Sequence, residues 1–278
     1  MQVRRFISIV AALSLVALGQ LHAATSLPFQ FRDGMIWVQV SAAGHSESLH
    51  FLLDSGAGAT VIDLTTARHL GLKLGAAQSV QEVSGRTTAY RINDFAAEVG
   101  GQRVASTLFA LDLSGPSSAC HQKIDGLIGL DFIREHIVQI DYAAQTLRLL
   151  QRSELAQVHG EKLPLARRND AFCTRVSVDG RPADWVRLDT GCNSALEWVV
   201  TAGTAGKFGR PTIGLNSSSV REIQTAVRLG SIEIPGVKTG LHARPMFAGE
   251  AGLLGNGLLS RFTVTIDGAQ GACVLSRR

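Results

Sequence analysis

The sequence predicts an all-β chain made of two similar halves, and three observations predict it. The apolar run Phe51-Leu52-Leu53 enters Asp54-Ser55-Gly56-Ala57-Gly58-Ala59, and a strand-like Val61-Ile62 follows; small residues between two apolar runs mark a tight turn. Trp185-Val186-Arg187-Leu188 enters Asp189-Thr190-Gly191 in the same way. Landmarks around these turns recur at a nearly fixed distance: Gly129 and Gly255 are 126 residues apart, as are Asp141 and Asp267, whereas Asp54 and Asp189 are 135 apart. A single duplication with a length change between the landmarks accounts for that pattern.

In chain order, Asp33-Gly34 lies between Phe29–Phe31 and Met35–Val40, a hairpin signal. A turn at Ala43-Gly44 returns the chain through Leu49, Phe51 and Leu53 to Asp54, which places this carboxylate at a strand end. Asp63 to Leu72 reads as a short helix or turn ended by Gly71, and Val80 to Tyr90 as a hairpin with a polar tip at Ser84-Gly85. Strand-like runs at Ile92–Val99 and Val104–Leu111 are joined by Gly100-Gly101, and Leu113 to Ala119 reads as a loop. Leu127-Ile128-Gly129 follows, then a closing hairpin of Val138–Asp141 and Thr146–Leu150. A glycine at 129 suits two backbone segments in close approach.

The second half repeats these elements: Phe172–Val178, a turn at Asp179-Gly180, and Trp185 to Asp189; a polar tip at Asn216–Val220; Leu253-Leu254-Gly255; and Val264-Thr265-Ile266-Asp267. The expected organisation is a signal segment 1–23, an N-terminal lobe 24–150, a polar linker 151–166 and a C-terminal lobe 167–278.

With 278 residues, 45% of them hydrophobic, the chain can bury one large core or two moderate ones, which excludes a disordered protein. Arg4-Arg5, the uncharged run Phe6–Gly19 and the small residues ending at Ala23 form the three parts of a secretory signal, with cleavage expected after Ala23. The run is short for a bilayer span, so retention as a membrane anchor is the weaker alternative. Losing two of 27 basic residues against 23 acidic ones leaves a net charge of +2. Near-neutrality without a Lys/Arg run argues against a nucleic-acid partner. Cys120, Cys173, Cys192 and Cys273 are an even number in a chain expected to be exported, so disulfides are permitted; four cysteines allow three complete pairings, and the sequence does not choose. Without Cys-x-x-Cys or His-Glu-x-x-His spacing, no metal or other cofactor is expected.

Asp54-Ser55-Gly56-Ala57 and Asp189-Thr190-Gly191 resemble the two active-site signatures of aspartic proteases, the first in its retropepsin form. The resemblance covers nearly all of the chain beyond the signal. It implies a bilobal acid-protease fold of two β-barrel-like lobes, an active site between them, and an aspartic endopeptidase acting on a peptide or protein substrate; because one chain carries both signatures, a monomer is expected. It further implies that Asp54 and Asp189 are the catalytic pair and that Ser55 and Thr190 bond across the two loops. Gly56 and Gly191 would let backbone approach the carboxylates, and Ala57 would support the first loop. Leu127-Ile128-Gly129 and Leu253-Leu254-Gly255 would pack beside the loops, with Gly129 and Gly255 as structural glycines. Ser84, Gly85, Arg86 and Thr87 would be the tip of a flap over the substrate, against the plainer alternative of an ordinary exposed hairpin.

Two carboxylates about 3 Å apart repel by roughly 5 kcal/mol at an effective dielectric of about 20, or on the order of four pKa units, so one proton is shared over a wide acidic range. One carboxylate then activates water while the other protonates the substrate carbonyl; which does which is not legible. The competing expectation is a peptide-binding pseudoprotease of the same fold. Cys192 departs from the small residue usual after the second signature; a buried small hydrophobe, a disulfide partner and a redox-sensitive thiol all stay open. The short spacer after Ala23 leaves no room for a long inhibitory prosegment, so control by its removal is not expected. Gly255-Asn256-Gly257 falls short of a dinucleotide fingerprint. Asp63, Asp125, Asp131, Asp141 and Asp267 read as turn or strand-end residues.

Overall fold

A computed structural model describes residues 25–82, 85–93, 95–105, 107–200 and 221–277. The expected signal, Ser84 and the second polar tip at Asn216–Val220 lie outside the described residues. The first half opens with β1 (Thr25–Pro28), β2 (Gln30–Arg32), β3 (Met35–Ala42), β4 (Leu49–Leu53) and β5 (Val61–Asp63). The turn between β2 and β3 has positive φ at both Asp33 and Gly34, the mirror-image turn that Asp-Gly favours in a two-residue hairpin. Helix α1 (Leu64–His69) starts where the Asp63 side chain accepts from the Thr66 amide, and Gly71 follows its end with φ +67°.

The chain continues as β6 (Ala77–Glu82), β7 (Gly85–Asn93), β8 (Ala97–Val99), β9 (Gln102–Arg103) and β10 (Thr107–Leu111). The run expected as one strand at Ile92–Val99 is therefore divided between the end of β7 and β8, and the run at Val104–Leu111 is a strand only from Thr107. The Ser/Gly/Pro stretch expected as a loop is instead α2 (Ser114–Ala119). Its proline lies in the first turn, where no amide donor is required, and Asp112 accepts from the Ser114 amide. Then come β11 (Gly126–Ile128), α3 (Leu130–Glu135), β12 (Ile137–Asp141) and β13 (Thr146–Leu150). The expected linker carries α4 (Arg152–Leu155), opened by a Gln151/Glu154 capping box, and β14 (Glu161–Pro164).

The second half comprises β15 (Ala166–Arg168), β16 (Ala171–Val178), β17 (Asp184–Asp189), β18 (Leu196–Val199), β19 (Arg221–Leu229), β20 (Ile232–His242), β21 (Gly252–Gly255), α5 (Asn256–Leu259), β22 (Phe262–Asp267) and β23 (Ala272–Arg277). Strand β17 pairs in parallel with β21, β21 antiparallel with β18, β18 in parallel with β20, and β20 antiparallel with β19. Pairing of β19 back onto β16 closes the sheet on itself. The first half repeats the series as β4, β11, β5, β10 and β7, and β8 on β3 supplies the closing pair. Closure leaves few edges, with β6 and β9 at the ends of the first sheet and β15 outside the closed part of the second. A β-bulge at Thr225/Val227 bends β19, whereas β7 and β8 are separate strands.

The halves join through a six-stranded sheet ordered β1-β13-β12-β22-β23-β14. At its centre Gln139 lies opposite Thr265, and the Gln139 amide donates to the Thr265 hydroxyl at 3.1 Å. These residues are 126 apart, so equivalent positions of the repeat meet each other, as a twofold relation between halves requires. One hydrophobic core runs through both halves; a smaller cluster of Met35, Trp37, Leu52, Val61, Ala89 and Ile124 lies in the first.

Candidate active site

Asp54 follows β4 and Asp189 ends β17, two strands at equivalent places in the two sheets. Each strand is anchored in parallel by the strand that brings its structural glycine: Leu53 opposes Ile128, and Asp189 opposes Gly255. The Asp54 amide donates to the Ile128 carbonyl at 2.9 Å. A methyl group built on Gly129 would meet the Ala59 and Thr60 backbone, and one on Gly255 would lie 2.6 Å from the Cys192 carbonyl. The amide after each glycine closes the contact: Leu130 donates to the Ala57 carbonyl and Asn256 to the Cys192 carbonyl, both at 2.8 Å. The repeat thus holds two loops by one device.

The loops meet through their hydroxyl residues. The Ser55 amide donates to the Thr190 hydroxyl oxygen at 2.9 Å, and the Thr190 amide to that of Ser55 at 3.0 Å. Each hydroxyl in turn donates across, Ser55 to the Leu188 carbonyl and Thr190 to the Leu53 carbonyl, at 2.8 Å each. Both side chains are fully buried, so every bond is shielded from competing water. The carboxylates face the opposite glycines: a methyl group on Gly56 would lie 2.5 Å from Asp189 Cγ, and one on Gly191 2.5 and 2.6 Å from the two Asp54 oxygens. Only a residue without a side chain fits either place.

The Asp54 and Asp189 side chains interact with each other across the two loops. Asp54 Oδ1 accepts from the Gly56 amide at 2.9 Å and the Ala57 amide at 3.0 Å, while Asp189 Oδ1 accepts from the Gly191 amide at 2.9 Å. Burial raises both carboxyls above the ordinary range. For Asp54, the two loop amides oppose that rise. Asp189 is pushed up to about 8, by burial first and by the Asp54 charge second. Asp54 thus accepts one more loop amide than Asp189, an asymmetry that favours negative charge on Asp54.

The structure also brings residues to the site that sequence reading missed. Asp131, expected as a turn residue, accepts from the Thr60 amide at 2.9 Å and the Thr60 hydroxyl at 2.7 Å, pinning the end of the first loop. The Asn256 amide group donates to the Thr190 carbonyl at 2.6 Å and, across the halves, to the Gly34 carbonyl at 2.8 Å; its oxygen accepts from Tyr142 at 2.7 Å. Arg187, two residues before Asp189, donates to the Gly56 carbonyl at 2.8 Å and pairs with Glu250. A signal for Arg187 was present: a charge inside an otherwise apolar strand run needs a partner.

Of the flap candidates, Gly85 has φ +145°, Arg86 is exposed and Thr87 half-buried. Arg86 donates to the Ser79 hydroxyl at 2.9 Å and Gln81 to the Gly85 carbonyl at 2.9 Å, bonds within the hairpin. All four cysteines are free thiols. Cys192 lies half-buried beside Asp189, its thiol pushed up to about 12 by burial and then by the Asp189 charge, which makes it a poor nucleophile. Among the described residues, no group of three or more His, Cys, Asp and Glu is placed to hold a metal, and no helix is long and apolar enough to cross a membrane.

Residues 38–132 match the sequence family described as Aspartyl protease. No curated protein matches the chain in sequence. Among solved structures, the chain is similar to the aspartic proteinase from Irpex lacteus, with a TM-score of 0.59 and 11% sequence identity over 92% of this chain and 97% of that one. At that identity the likeness is one of fold.

Proposed function

We propose that this chain, an aspartic-type protease of the pepsin and retropepsin kind by its family match and its fold, is an endopeptidase whose working pair is Asp54 and Asp189, one from each lobe. The observation that carries the reading is the meeting of two carboxyl groups, each packed against the other loop's glycine.

In this reading Asp54 is the anion and Asp189 carries the shared proton. A water between them gives a proton to Asp54 as its oxygen bonds to the scissile carbonyl carbon, while Asp189 protonates the carbonyl oxygen. A neutral tetrahedral diol results. Asp54 then passes its proton to the amide nitrogen as the C–N bond breaks, and a diol hydroxyl returns a proton to Asp189. Atoms and charge balance without a metal or a covalent intermediate. An extended peptide would lie between the lobes under the hairpin of β6 and β7, paired by backbone bonds. The expected signal segment makes the periplasm or the exterior the proposed place of action, and a single chain carries both aspartates, so a monomer is sufficient.

The test is digestion of a mixed peptide library from pH 3 to pH 7 by the mature protein beside Asp54→Asn and Asp189→Asn. Each variant is expected to lose on the order of 10³-fold in rate. Cleavage surviving in both sinks the dyad assignment; wild-type binding without cleavage favours the pseudoprotease.

A further inference from the structure

Arg187 occupies, in the second half, the place that Leu52 holds in the first, two residues before the aspartate. Leu52 lies opposite Trp37 and Leu127 and packs in the small apolar cluster. Arg187 lies opposite Cys173 and Leu253 and is 3% exposed, while its partner Glu250 is 4% exposed. Burying such a pair is costly, and apolar residues of similar volume commonly serve a fold as well or better. The first half shows that this fold accepts a leucine there. Fold stability alone thus gives no reason for a guanidinium.

Its contacts supply one. Nε and Nη2 make a fork to the two Glu250 oxygens at 2.8 Å each, and the guanidinium carbon lies 3.4 Å from the centre of the Phe247 ring. Glu250 is itself steadied by the Asn169 amide at 2.9 Å. Held in this way, Nη1 reaches into the other half and donates to the Gly56 carbonyl at 2.8 Å. That carbonyl and the Ala57 N–H belong to one peptide unit, and the Ala57 N–H donates to Asp54 Oδ1 at 3.0 Å. A positive charge on the oxygen end polarises the peptide toward its N–H, so the bond to the carboxylate strengthens.

We propose that Arg187, fixed by Glu250, is a positioning residue: it ties the Asp54 loop to the strand that carries Asp189 and, through the Gly56–Ala57 peptide, directs a fixed positive charge at the Asp54 carboxylate. The inference rests on the dyad reading above. The ionisable groups that face this cluster are Asp54 and Asp189, Cys192 beside Asp189, Cys173 against Glu250, and Arg168, whose guanidinium donates to the Gly249 carbonyl. Of these Arg187 acts on both aspartates, and its charge favours their ionised form. Removing it makes the pair hold its proton to higher pH.

The experiment compares wild type with Arg187→Leu, Arg187→Lys and the double variant Arg187→Leu/Glu250→Leu, which leaves no lone buried charge. The acid limb of the kcat/KM profile on a cleaved library peptide is expected to move up by about one pH unit in both leucine variants, roughly a tenfold loss at a fixed pH on that limb, with KM changed less than twofold. Arg187→Lys, which keeps the charge, is expected to hold the limb close to wild type while lowering kcat. Melting temperatures show which variants are folded, and titration of the aspartate carboxyls by ¹³C NMR reads the same shift without turnover. A stably folded double variant with the wild-type limb and titration overturns the proposal. If the wild type cleaves nothing, the dyad reading fails and the carboxyl titration still decides the role of Arg187.

Discussion

Gly191→Ala tests the opposed-glycine geometry most directly. The added methyl carbon would stand 2.5 and 2.6 Å from the Asp54 oxygens, where a carbon and an oxygen in contact need more than 3 Å. The carboxylate cannot retreat freely, because the Gly56 and Ala57 amides hold its Oδ1 at 2.9 and 3.0 Å. Nor can the loop, since Thr190 is bonded on both sides to the Ser55 strand end. Something must shift by several tenths of an ångström to about 1 Å, and a misplacement of about 1 Å at a reacting group costs on the order of 10²-fold in rate. Overpacking adds about 1–3 kcal/mol of destabilisation. The assay is kcat/KM on a cleaved peptide together with the melting temperature, beside Gly115→Ala, where the new methyl group meets nothing within 4 Å. Gly115→Ala is expected to leave both unchanged or slightly improved. Gly191→Ala with wild-type kcat would refute the placement of Asp54 against Gly191.

Two further expectations concern stability. Asp189 is raised from the ordinary value of 3.8 to about 8, so between those values the unfolded chain sheds a proton that the folded chain keeps, and folding stability falls as pH rises through this window. Asp189→Asn removes that penalty: it is expected to be more stable than wild type at pH 7, by on the order of 1–3 kcal/mol, with little gain at pH 3. Equal denaturant midpoints at both pH values would contradict the raised carboxyl. Asn256→Ala removes donors to the Thr190 and Gly34 carbonyls and the acceptor of Tyr142, and leaves buried groups unpaired. A loss of about 2–4 kcal/mol in chemical denaturation is expected, and a loss under about 0.5 kcal/mol would show that the bridge between halves carries no weight.

The elements legible in the sequence were those whose cause is local. Asp33-Gly34 and Asp179-Gly180 announced mirror-image turns, and positive φ at all four residues bears them out. The two small-residue turns announced strand ends carrying carboxylates, and the 126-residue offset announced a duplication, whereas the meeting of equivalent residues at the centre of the joining sheet comes from the fold. Where the expectation departed from the structure, the deciding partner was distant in sequence. Leu113 to Ala119 looked like a loop from its serine, glycine and proline, yet the Leu113 amide is held by Asp63 at 3.1 Å, which sets the segment's start on the α1 cap. The polar stretch after Leu150 looked like a free linker, but β14 is claimed by β23, the last strand of the chain. Asp131 looked like one of several turn aspartates; only the fold brings Thr60 to it.

The most informative departures are those that break the repeat. Counting by the offset of 135 places Arg187 on Leu52, and counting by 126 places Asn256 on Leu130. Both are apolar in the first half and polar in the second, and both reach back into the first half, to Gly56 and to Gly34. A pair of identical subunits cannot do this with one residue, because any such change would appear on both sides of the twofold and two guanidinium groups would face two loops. Joining the halves in one chain permits one lobe to carry the bridging charge and the other to receive it. The same asymmetry distinguishes the two aspartates. Asp54 sits in the loop whose peptide is polarised by Arg187 and has two amide donors, and Asp189 is the more buried of the two. Assigning the shared proton to Asp189 and placing the bridging arginine on its strand are therefore one claim about how the repeat was broken, and Arg187→Leu should raise both carboxyls together.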